Sequence, residues 1–165
     1  MRTLALLPLL LAAACSDGGG SAPEKAKASA DMTMEAGQWE TTTEVTQFAS
    51  LDDGAPAIDT PAGTRASFTT CVAEADRKRP PAELFAMAGA DCDYKDFYMA
   101  LGRMNASMSC RVPGLAGEVV ASAEGTNDAT SFEGTVSIST QLPGAGDVRI
   151  ASTISGRRTG ACPAD

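Results

Sequence analysis

The stretch Phe132-Glu-Gly-Thr-Val-Ser-Ile-Ser-Thr-Gln-Leu142 alternates apolar and polar side chains over its whole length. Phe132, Val136 and Ile138 fall on one side of the alternation, whereas the other side carries only Glu, Thr, Ser and Gln. A period of two residues with β-branched side chains is typical of a strand that buries one face in a core. This segment therefore predicts a half-buried strand of an antiparallel sheet.

Six further segments are predicted to be strands, the first two and the last of them by the same alternation, and turns rich in Gly, Pro, Asn and Asp separate them. We expect Trp39 and Val45 of the first segment to face the core, and the first two strands to pair with each other. About seven strands with one apolar face indicate an antiparallel meander that curls into a strongly curved sheet or a partly open barrel. The six segments are residues 35–48, 64–72, 93–100, 103–112, 118–125 and the stretch that starts at Val148.

The periodicity changes between the second and third strands. Pro81 to Ala88 predicts one short helix, because proline suits a first helical turn and Gly89 a C-terminal cap. Leu84, Phe85 and Met87 would then pack onto the sheet. The fold class is therefore mainly β, with one short helix.

The first fifteen residues read as an export signal. Arg2 precedes an apolar run that ends in three alanines and Cys15, which resembles the lipobox of bacterial lipoproteins, although Ala12 stands where that motif usually has leucine. The resemblance implies removal of residues 1–14 and lipidation of Cys15. An ordinary secretion signal cut near Ala14 is the alternative. The eleven residues from Leu4 to Ala14 are too few for a membrane-spanning helix, which needs about 20.

The mature chain is predicted to have two parts. Residues 15–33 comprise the lipidated cysteine and a Gly- and Ala-rich flexible tether, and residues 34–165 form the β domain. The residue after the lipidated cysteine, which sorts lipoproteins between membranes, is Ser16 and not aspartate. This implies anchoring in the outer membrane on the periplasmic side, and a soluble periplasmic protein is the alternative.

The charge of the chain excludes one class of partner. The full sequence has a net charge of −8, and loss of Arg2 leaves 12 basic and 21 acidic residues. Nucleic-acid binding depends on clustered Lys and Arg, so we expect no nucleic acid as partner. The only dense basic cluster, Arg77-Lys78-Arg79, fits a solvated turn. The lipid anchor would be the only attachment to the membrane.

The cysteine count agrees with lipidation. Five cysteines leave one unpaired in an oxidising compartment, whereas a lipidated Cys15 leaves four, which predicts two disulfides. Four cysteines allow three connectivities. We favour Cys71–Cys92 with Cys110–Cys162, and a Cys92–Cys110 bond across the predicted hairpin at Leu101-Gly102 is a close alternative.

The sequence offers little catalytic chemistry. The chain has no histidine, which excludes Ser-His-Asp and Cys-His arrangements and histidine-based metal sites. We therefore predict no catalytic residue, no cofactor and no metal. Carboxylates do cluster, but on polar faces or in turns where solubility explains them: Glu40 with Glu44, Asp52 with Asp53, and Asp91, Asp93 and Asp96.

Two weaker hypotheses concern ligands. Met99, Met104 and Met108 could hold Cu(I) by their thioethers, yet methionines in a hairpin more often fill gaps in a core. A curved sheet could also enclose a small apolar ligand. The residues that would line such a pocket, or else fill a solid core, are Phe68, Phe132, Val136, Ile138 and Ile154.

Several short motifs occur in an order that resembles a known family. They are Gly37-Gln-Trp-Glu-Thr, Cys71-Val-Ala-Glu, Cys92, Cys110 and Gly156-Arg-Arg-Thr-Gly-Ala-Cys162. Together, over about residues 35–162, they resemble the bacterial envelope domain-of-unknown-function family numbered thirty-six seventeen. The resemblance implies an envelope location and a disulfide-bearing β domain, and it supplies no reaction. It marks as signature positions the four cysteines, Trp39, Arg157 and Arg158.

Three functions remain in competition. We favour an envelope lipoprotein that acts as a non-enzymatic interaction or accessory module, with an unknown envelope protein as partner. The first alternative is a barrel-like binder of a small apolar ligand, and the second is a hydrolase that uses clustered carboxylates.

Overall fold

The computed structural model describes residues 33–164. The predicted signal peptide, Cys15 and all but the last residue of the predicted tether lie outside the described residues. Within residues 33–164, no helix is long and apolar enough to cross a membrane.

A single antiparallel sheet of seven strands makes up most of the fold. The strand order is β2-β1-β7-β6-β5-β4-β3, so β3 to β7 form an uninterrupted meander and β1 pairs with the last strand. The sheet curls into a half-barrel, which confirms the predicted fold class. The strands are β1 (Gly37–Ser50), β2 (Arg65–Val72), β3 (Asp91–Ala100), β4 (Arg103–Arg111), β5 (Glu118–Asn127), β6 (Ser131–Gln141) and β7 (Val148–Gly160).

The turn between β3 and β4 lies where the sequence places it. Leu101 and Gly102 have φ angles of 55° and 72°. Two consecutive residues with positive φ form a type I′ turn, whose twist matches that of the flanking strands. The predicted hairpin is confirmed, with leucine in a conformation that glycine or asparagine adopts more easily.

Two facing glycines permit a close approach of β5 and β6. Gly125 of β5 lies opposite Gly134 of β6. A Cβ atom on Gly125 would collide with the carbonyl oxygen of Glu133, and one on Gly134 would collide with that of Glu124. The two backbones approach this closely because both residues lack a side chain. Paired glycines of this kind are a means of curving a sheet.

The inward face of the sheet forms the core. Phe132, Val136 and Ile138 of β6 are 3%, 2% and 5% exposed, as their alternation predicts. Trp39 and Val45 of β1 face the same interior, which confirms the prediction for the first strand. The alternation of each strand therefore sets the inside and outside of the half-barrel.

Residues 73–90, which connect β2 to β3, hold two short 3-10 helices, Glu74–Asp76 and Ala82–Phe85. The second replaces the predicted helix over Pro81–Ala88. The segment from Pro81 to Ala88, which Gly89 ends with a φ of 74°, makes little more than two helical turns, and so short a helix gains too little to offset the cost of its nucleus. Leu84 and Phe85 are nonetheless fully buried and Met87 is partly buried, as predicted.

Phe85 fills the interior of the half-barrel. Its ring centroid lies 5.1 Å from that of Phe132 on β6 and 6.2 Å from that of Phe97 on β3. Aromatic pairs at these separations add stabilisation beyond the area they bury. The Phe85 side chain therefore fills the space between β3 and β6, which do not pair with each other.

Hydrogen bonds fix this connection to both sides of the open sheet. The buried hydroxyl of Thr41 on β1 donates to the carbonyl oxygen of Leu84 at 3.2 Å. The hydroxyl of Tyr94 on β3 donates to the carbonyl oxygen of Pro80 at 2.8 Å. Because β1 and β3 lie five places apart in the strand order, the connection bridges the opening of the half-barrel.

The disulfides differ from the pairing we favoured. The structure pairs Cys71 with Cys162 and Cys92 with Cys110, so Cys71–Cys92 with Cys110–Cys162 was wrong and the alternative Cys92–Cys110 bond is confirmed. Cys92 and Cys110 are direct partners of β3 and β4. Cys71 and Cys92 stand on the two opposite edge strands, whereas the end of β7 lies beside β1 and close to β2.

The two disulfides should differ in their response to reductant. Cys71 is exposed, whereas Cys92 and Cys110 are 8% and 1% exposed, and thiol–disulfide exchange requires access of the attacking thiolate. Dithiothreitol without denaturant should therefore open Cys71–Cys162 first, as alkylation and peptide mass mapping would show. The double variant Cys71→Ser/Cys162→Ser should lose about 2–4 kcal/mol of unfolding free energy. Equal reduction rates, or a Cys71–Cys92 peptide, would contradict this assignment.

Candidate functional site

A depression of the described domain lies on the solvent-facing side of the sheet, at the end where β5 turns into β6. Its volume is about 760 Å³, within the range of about 300–1,000 Å³ that ligand sites occupy. Strands β5, β6, β7 and β1 contribute its walls. We call it the polar groove, and define it by Glu40, Asn127, Asp128, Glu133, Arg157 and the hydroxyl side chains of Thr42, Thr126, Ser131 and Ser155.

The strand register brings these residues together. Thr126 of β5 pairs with Glu133 of β6, which pairs with Ser155 of β7, which in turn pairs with Thr42 of β1. Residues in such a row share one face of the sheet, and this face is the opposite of the buried one. The groove therefore crosses four strands at right angles to their direction.

An ion pair forms one wall of the polar groove. Arg157 donates from Nη2 and Nε to Oε2 of Glu40 at 2.6 and 3.1 Å. Since the Arg157 side chain is 73% exposed, we assign this pair a role in positioning rather than in stability. Arg157 is the only cation of the groove and Glu40, Asp128 and Glu133 are its carboxylates, which leaves a net charge of −2.

Asp128 caps the turn at the end of the groove, where the sequence predicts a turn at Asn127-Asp128. Its Oδ1 accepts hydrogen bonds at 2.7 Å from the backbone N–H groups of Thr130 and Ser131, and its Oδ2 accepts one at 2.8 Å from the Ser131 hydroxyl. The backbone N–H of Thr130 is the largest of the influences that lower the pKa of Asp128. The Asp128 carboxylate therefore stabilises this turn through its hydrogen bonds.

Asn127 lies at the end of β5 beside the groove, with its side chain on the inward face of the strand. Asn127 is 6% exposed, and neither Nδ2 nor Oδ1 has a hydrogen-bond partner. These are two of the three buried side-chain polar atoms of residues 33–164 that lack a partner. A buried polar atom without a partner typically costs about 1–3 kcal/mol. A donor and an acceptor are therefore held, unused, on the core side of the sheet.

Sequence reasoning assigned Asn127 to a turn and missed its burial. The signal was present, because Val119, Ala121 and Ala123 alternate inward on β5 and the same parity continues through Gly125 to Asn127. The predicted strand stopped at Gly125, so the inward position of Asn127 was not considered.

The signature positions Trp39 and Arg158 lie beside the groove, where the chain enters β1. The Trp39 indole N–H donates to the carbonyl oxygen of Glu35 at 3.0 Å, and Arg158 Nε donates to that of Ala36 at 2.7 Å. Arg158 therefore holds the segment before β1 against β7, and Trp39 holds it against β1 itself. The third signature position, Arg157, is the cation of the groove, whereas the disulfide cysteines do not line it.

The other carboxylates singled out in the sequence do not form an acid–base pair. Glu44 pairs with Arg65, and Asp91 and Asp93 lie 2.7 and 3.6 Å from Arg111. Asp52 accepts hydrogen bonds from the backbone N–H groups of residues 147, 146 and 54, which lower its pKa in that order. These side chains stabilise turns and strand pairs.

The residues proposed for metal and apolar ligands lie mostly in the core. Met104 and Met108 share one face, as predicted, and are 3% and 0% exposed, and Met99 is partly buried beside them. Within residues 33–164, no group of three His, Cys, Asp or Glu side chains could hold a metal ion. Four of the five predicted pocket residues are buried core residues, namely Phe132, Val136, Ile138 and Ile154, whereas Phe68 on edge strand β2 is partly buried.

Replacing Asn127 by leucine should stabilise the domain. Leucine has a similar shape and removes two buried polar atoms without partners, so the unfolding free energy should rise by about 1–3 kcal/mol. Urea unfolding with the disulfides intact would measure this. The control Asn105→Leu changes an exposed asparagine of β4 and should stay within about 0.5 kcal/mol of the parent. A loss of stability for Asn127→Leu would show that the amide has partners.

Comparison with known proteins identifies a family. The family model described as "Protein of unknown function (DUF3617)" matches residues 34–162, which is most of the chain. No curated protein and no solved structure matches this chain. The matched span coincides with the folded domain and contains all four paired cysteines. The chain therefore belongs to the DUF3617 family of proteins of unknown function.

Proposed function

We propose that this protein is a membrane-tethered, non-catalytic binding module of the bacterial envelope, and that the polar groove is its binding surface. The observation that carries the proposal is the polar groove itself, a depression of about 760 Å³ on the solvent-facing side of the sheet, where one strand register brings together hydroxyl and charged side chains of four strands. Its volume is that of a ligand site, and its walls offer several hydrogen-bond donors and acceptors.

The filled interior of the half-barrel supports a site on the outside of the sheet. Phe85, Leu84 and Trp39 are fully buried and fill the interior of the half-barrel. A ligand inside would have to displace these side chains. The polar groove needs no such rearrangement of the core, and its size suits a ligand.

The chemistry of the groove supports binding over catalysis. The Ser131 hydroxyl donates to the carboxylate of Asp128, which already caps a turn, and Glu40 is paired with Arg157. The chain has no histidine to act as a base near neutral pH. General acid–base catalysis with two carboxylates requires two different environments around one bond. The groove offers hydrogen bonds and charge for recognition instead.

The envelope location rests on the N-terminal sequence and the disulfides. The run from Met1 to Cys15 resembles a lipoprotein signal, and two disulfides suit an oxidising compartment. The N–H of Glu35 donates to the carbonyl oxygen of Ala129 in the β5–β6 turn at 2.8 Å. The polypeptide thus enters the domain beside the groove, so an anchor at Cys15 would hold the groove within reach of the membrane.

Substitution of Cys15 should release the protein from the membrane. In a bacterium that exports the full chain, Cys15→Ser should move the protein from the outer-membrane fraction to the soluble periplasm, because the thiol that accepts lipid is lost. Ser16→Ala is the matched control and should stay in the outer membrane. Ser16→Asp should shift the protein to the inner membrane, as lipoprotein sorting implies. Unchanged fractionation of Cys15→Ser would refute the anchor.

Small probes should locate binding at the groove. With the mature Cys15→Ser chain in solution, N-methylacetamide at millimolar concentration should shift the NMR signals of Thr126, Glu133 and Ser155, because its one donor and one acceptor match the polar side chains of the groove. The double variant Thr126→Val/Ser155→Ala should abolish the shift at Glu133, and Asn105→Leu should preserve it. Equal shifts in both variants, or none in the parent, would refute the groove as the binding surface.

A further inference from the structure

We infer that the tip of the β3–β4 hairpin docks on the lipid bilayer to which the protein is tethered. We call this segment the apolar tip and define it as Phe97-Tyr-Met-Ala-Leu-Gly102. The inference rests on the membrane tether of the proposed function and adds a second attachment to the lipid anchor. Three observations carry it, namely the exposure of the tip, the backbone conformation of Leu101 and the place where the chain enters the domain.

The apolar tip presents uncharged side chains to solvent. Its six residues lie between Asp96 and Arg103, and none of the six is buried. Leu101 and Tyr98 are 64% and 51% exposed, the two highest values among the exposed large hydrophobic side chains of residues 33–164. One exposed leucine is ordinary on a protein surface. A continuous exposed apolar segment, in contrast, marks a site of interaction.

The backbone conformation of Leu101 is unfavourable for a leucine. Its φ of 55° lies in the left-handed region, and within residues 33–164 it is the only residue other than glycine with a positive φ. Asparagine followed by glycine forms the same type I′ turn more easily. Because the stability of the turn does not explain a leucine here, its exposed side chain is assigned a role in binding.

The chain enters the domain at the same end as the apolar tip. The N–H of Asn127 donates to the carbonyl oxygen of Gly102 at 3.1 Å, so the tip contacts the end of β5. Two residues further along, the carbonyl oxygen of Ala129 accepts the N–H of Glu35 at 2.8 Å. The entry point and the tip are thus fixed to the same turn of the sheet, and an anchor at Cys15 would keep both on the side that faces the bilayer.

The chemistry of the tip suits the interface of a bilayer. Tyrosine is enriched at membrane interfaces, because its ring is apolar and its hydroxyl remains hydrated. Arg103 follows the tip, is exposed and takes part in none of the ion pairs of residues 33–164, so its guanidinium is available to a lipid phosphate. Since the chain as a whole is acidic, apolar contact supplies the attraction, and docking should occur on zwitterionic phosphatidylcholine.

The test couples the mature chain to vesicles through the Cys15 thiol, since the other four cysteines are paired in disulfides. Phosphatidylcholine vesicles that contain a maleimide lipid would capture this thiol in place of the natural anchor. The reporter Tyr98→Trp should then emit at shorter wavelength and be quenched by brominated acyl chains, because its ring leaves water. Trp39 is fully buried, so the spectrum of the parent chain can be subtracted.

Two further variants separate docking from mere proximity to the vesicle. Leu51→Trp is the matched control, because Leu51 is 47% exposed but follows β1 at the opposite end of the sheet, and its emission should not change. Leu101→Asn, added to the Tyr98→Trp chain, should reduce the quenching about two- to five-fold, since it removes the apolar side chain of the turn. Urea unfolding should show that Leu101→Asn is at least as stable as the parent, because Asn-Gly favours this turn.

Equal quenching of Tyr98→Trp and Leu51→Trp would overturn the inference. A concentration-dependent dimer of the uncoupled chain that Leu101→Asn abolishes would also overturn it, because the tip would then bind a second copy instead of lipid. Since the maleimide lipid replaces the natural anchor, neither result bears on the polar groove or on lipidation. Unchanged fractionation of Cys15→Ser, in contrast, would refute the tether itself, whatever the vesicles show.

Discussion

The pairing of β1 with β7 is the contact on which the rest of the structure depends. Five strands from β3 to β7 follow one another by hairpins, so local turns are sufficient to order them. The β1–β2 hairpin, in contrast, joins the sheet through strands about 110 residues apart in the chain. That pairing places β2 at one edge and β3 at the other. It also sets Glu40 opposite Arg157 and Thr42 opposite Ser155, which are residues of the polar groove.

The two edge strands of the half-barrel do not hydrogen-bond to each other, but packed side chains fill the opening between them. Strands β2 and β3 remain edges, and residues 73–90 cross between them with Leu84 and Phe85 buried beneath. The Arg79 guanidinium stacks 5.0 Å from the ring centre of Tyr94, on the outside of the same connection. A sheet closed in this way has a solid interior, which differs from barrels that hold a ligand at their mouth. The binding surface that we propose is therefore on the outside of the sheet.

The sequence predicted what local alternation can encode and missed what depends on distant pairing. Each strand, the inward positions Trp39 and Val45 and the Leu101-Gly102 turn follow from periods of two and from turn residues. The Cys71–Cys162 bond could not be predicted from local alternation, because the two cysteines come together through the pairing of β1 with both β2 and β7. Asn127 lies between these cases, since the parity of β5 places it inward but its lack of hydrogen-bond partners is visible only in the folded structure.

The close approach of β5 and β6 lies beside the polar groove. Gly125 and Gly134 permit this close approach, and the outer surface is depressed over them. Asn127 is the next inward residue after Gly125, so its amide is buried on the core side of the sheet. A side chain larger than glycine at position 125 would collide with the carbonyl oxygen of Glu133 and force β5 away from β6. The glycines that let these two strands approach so closely thus also shape the outer surface beside the groove.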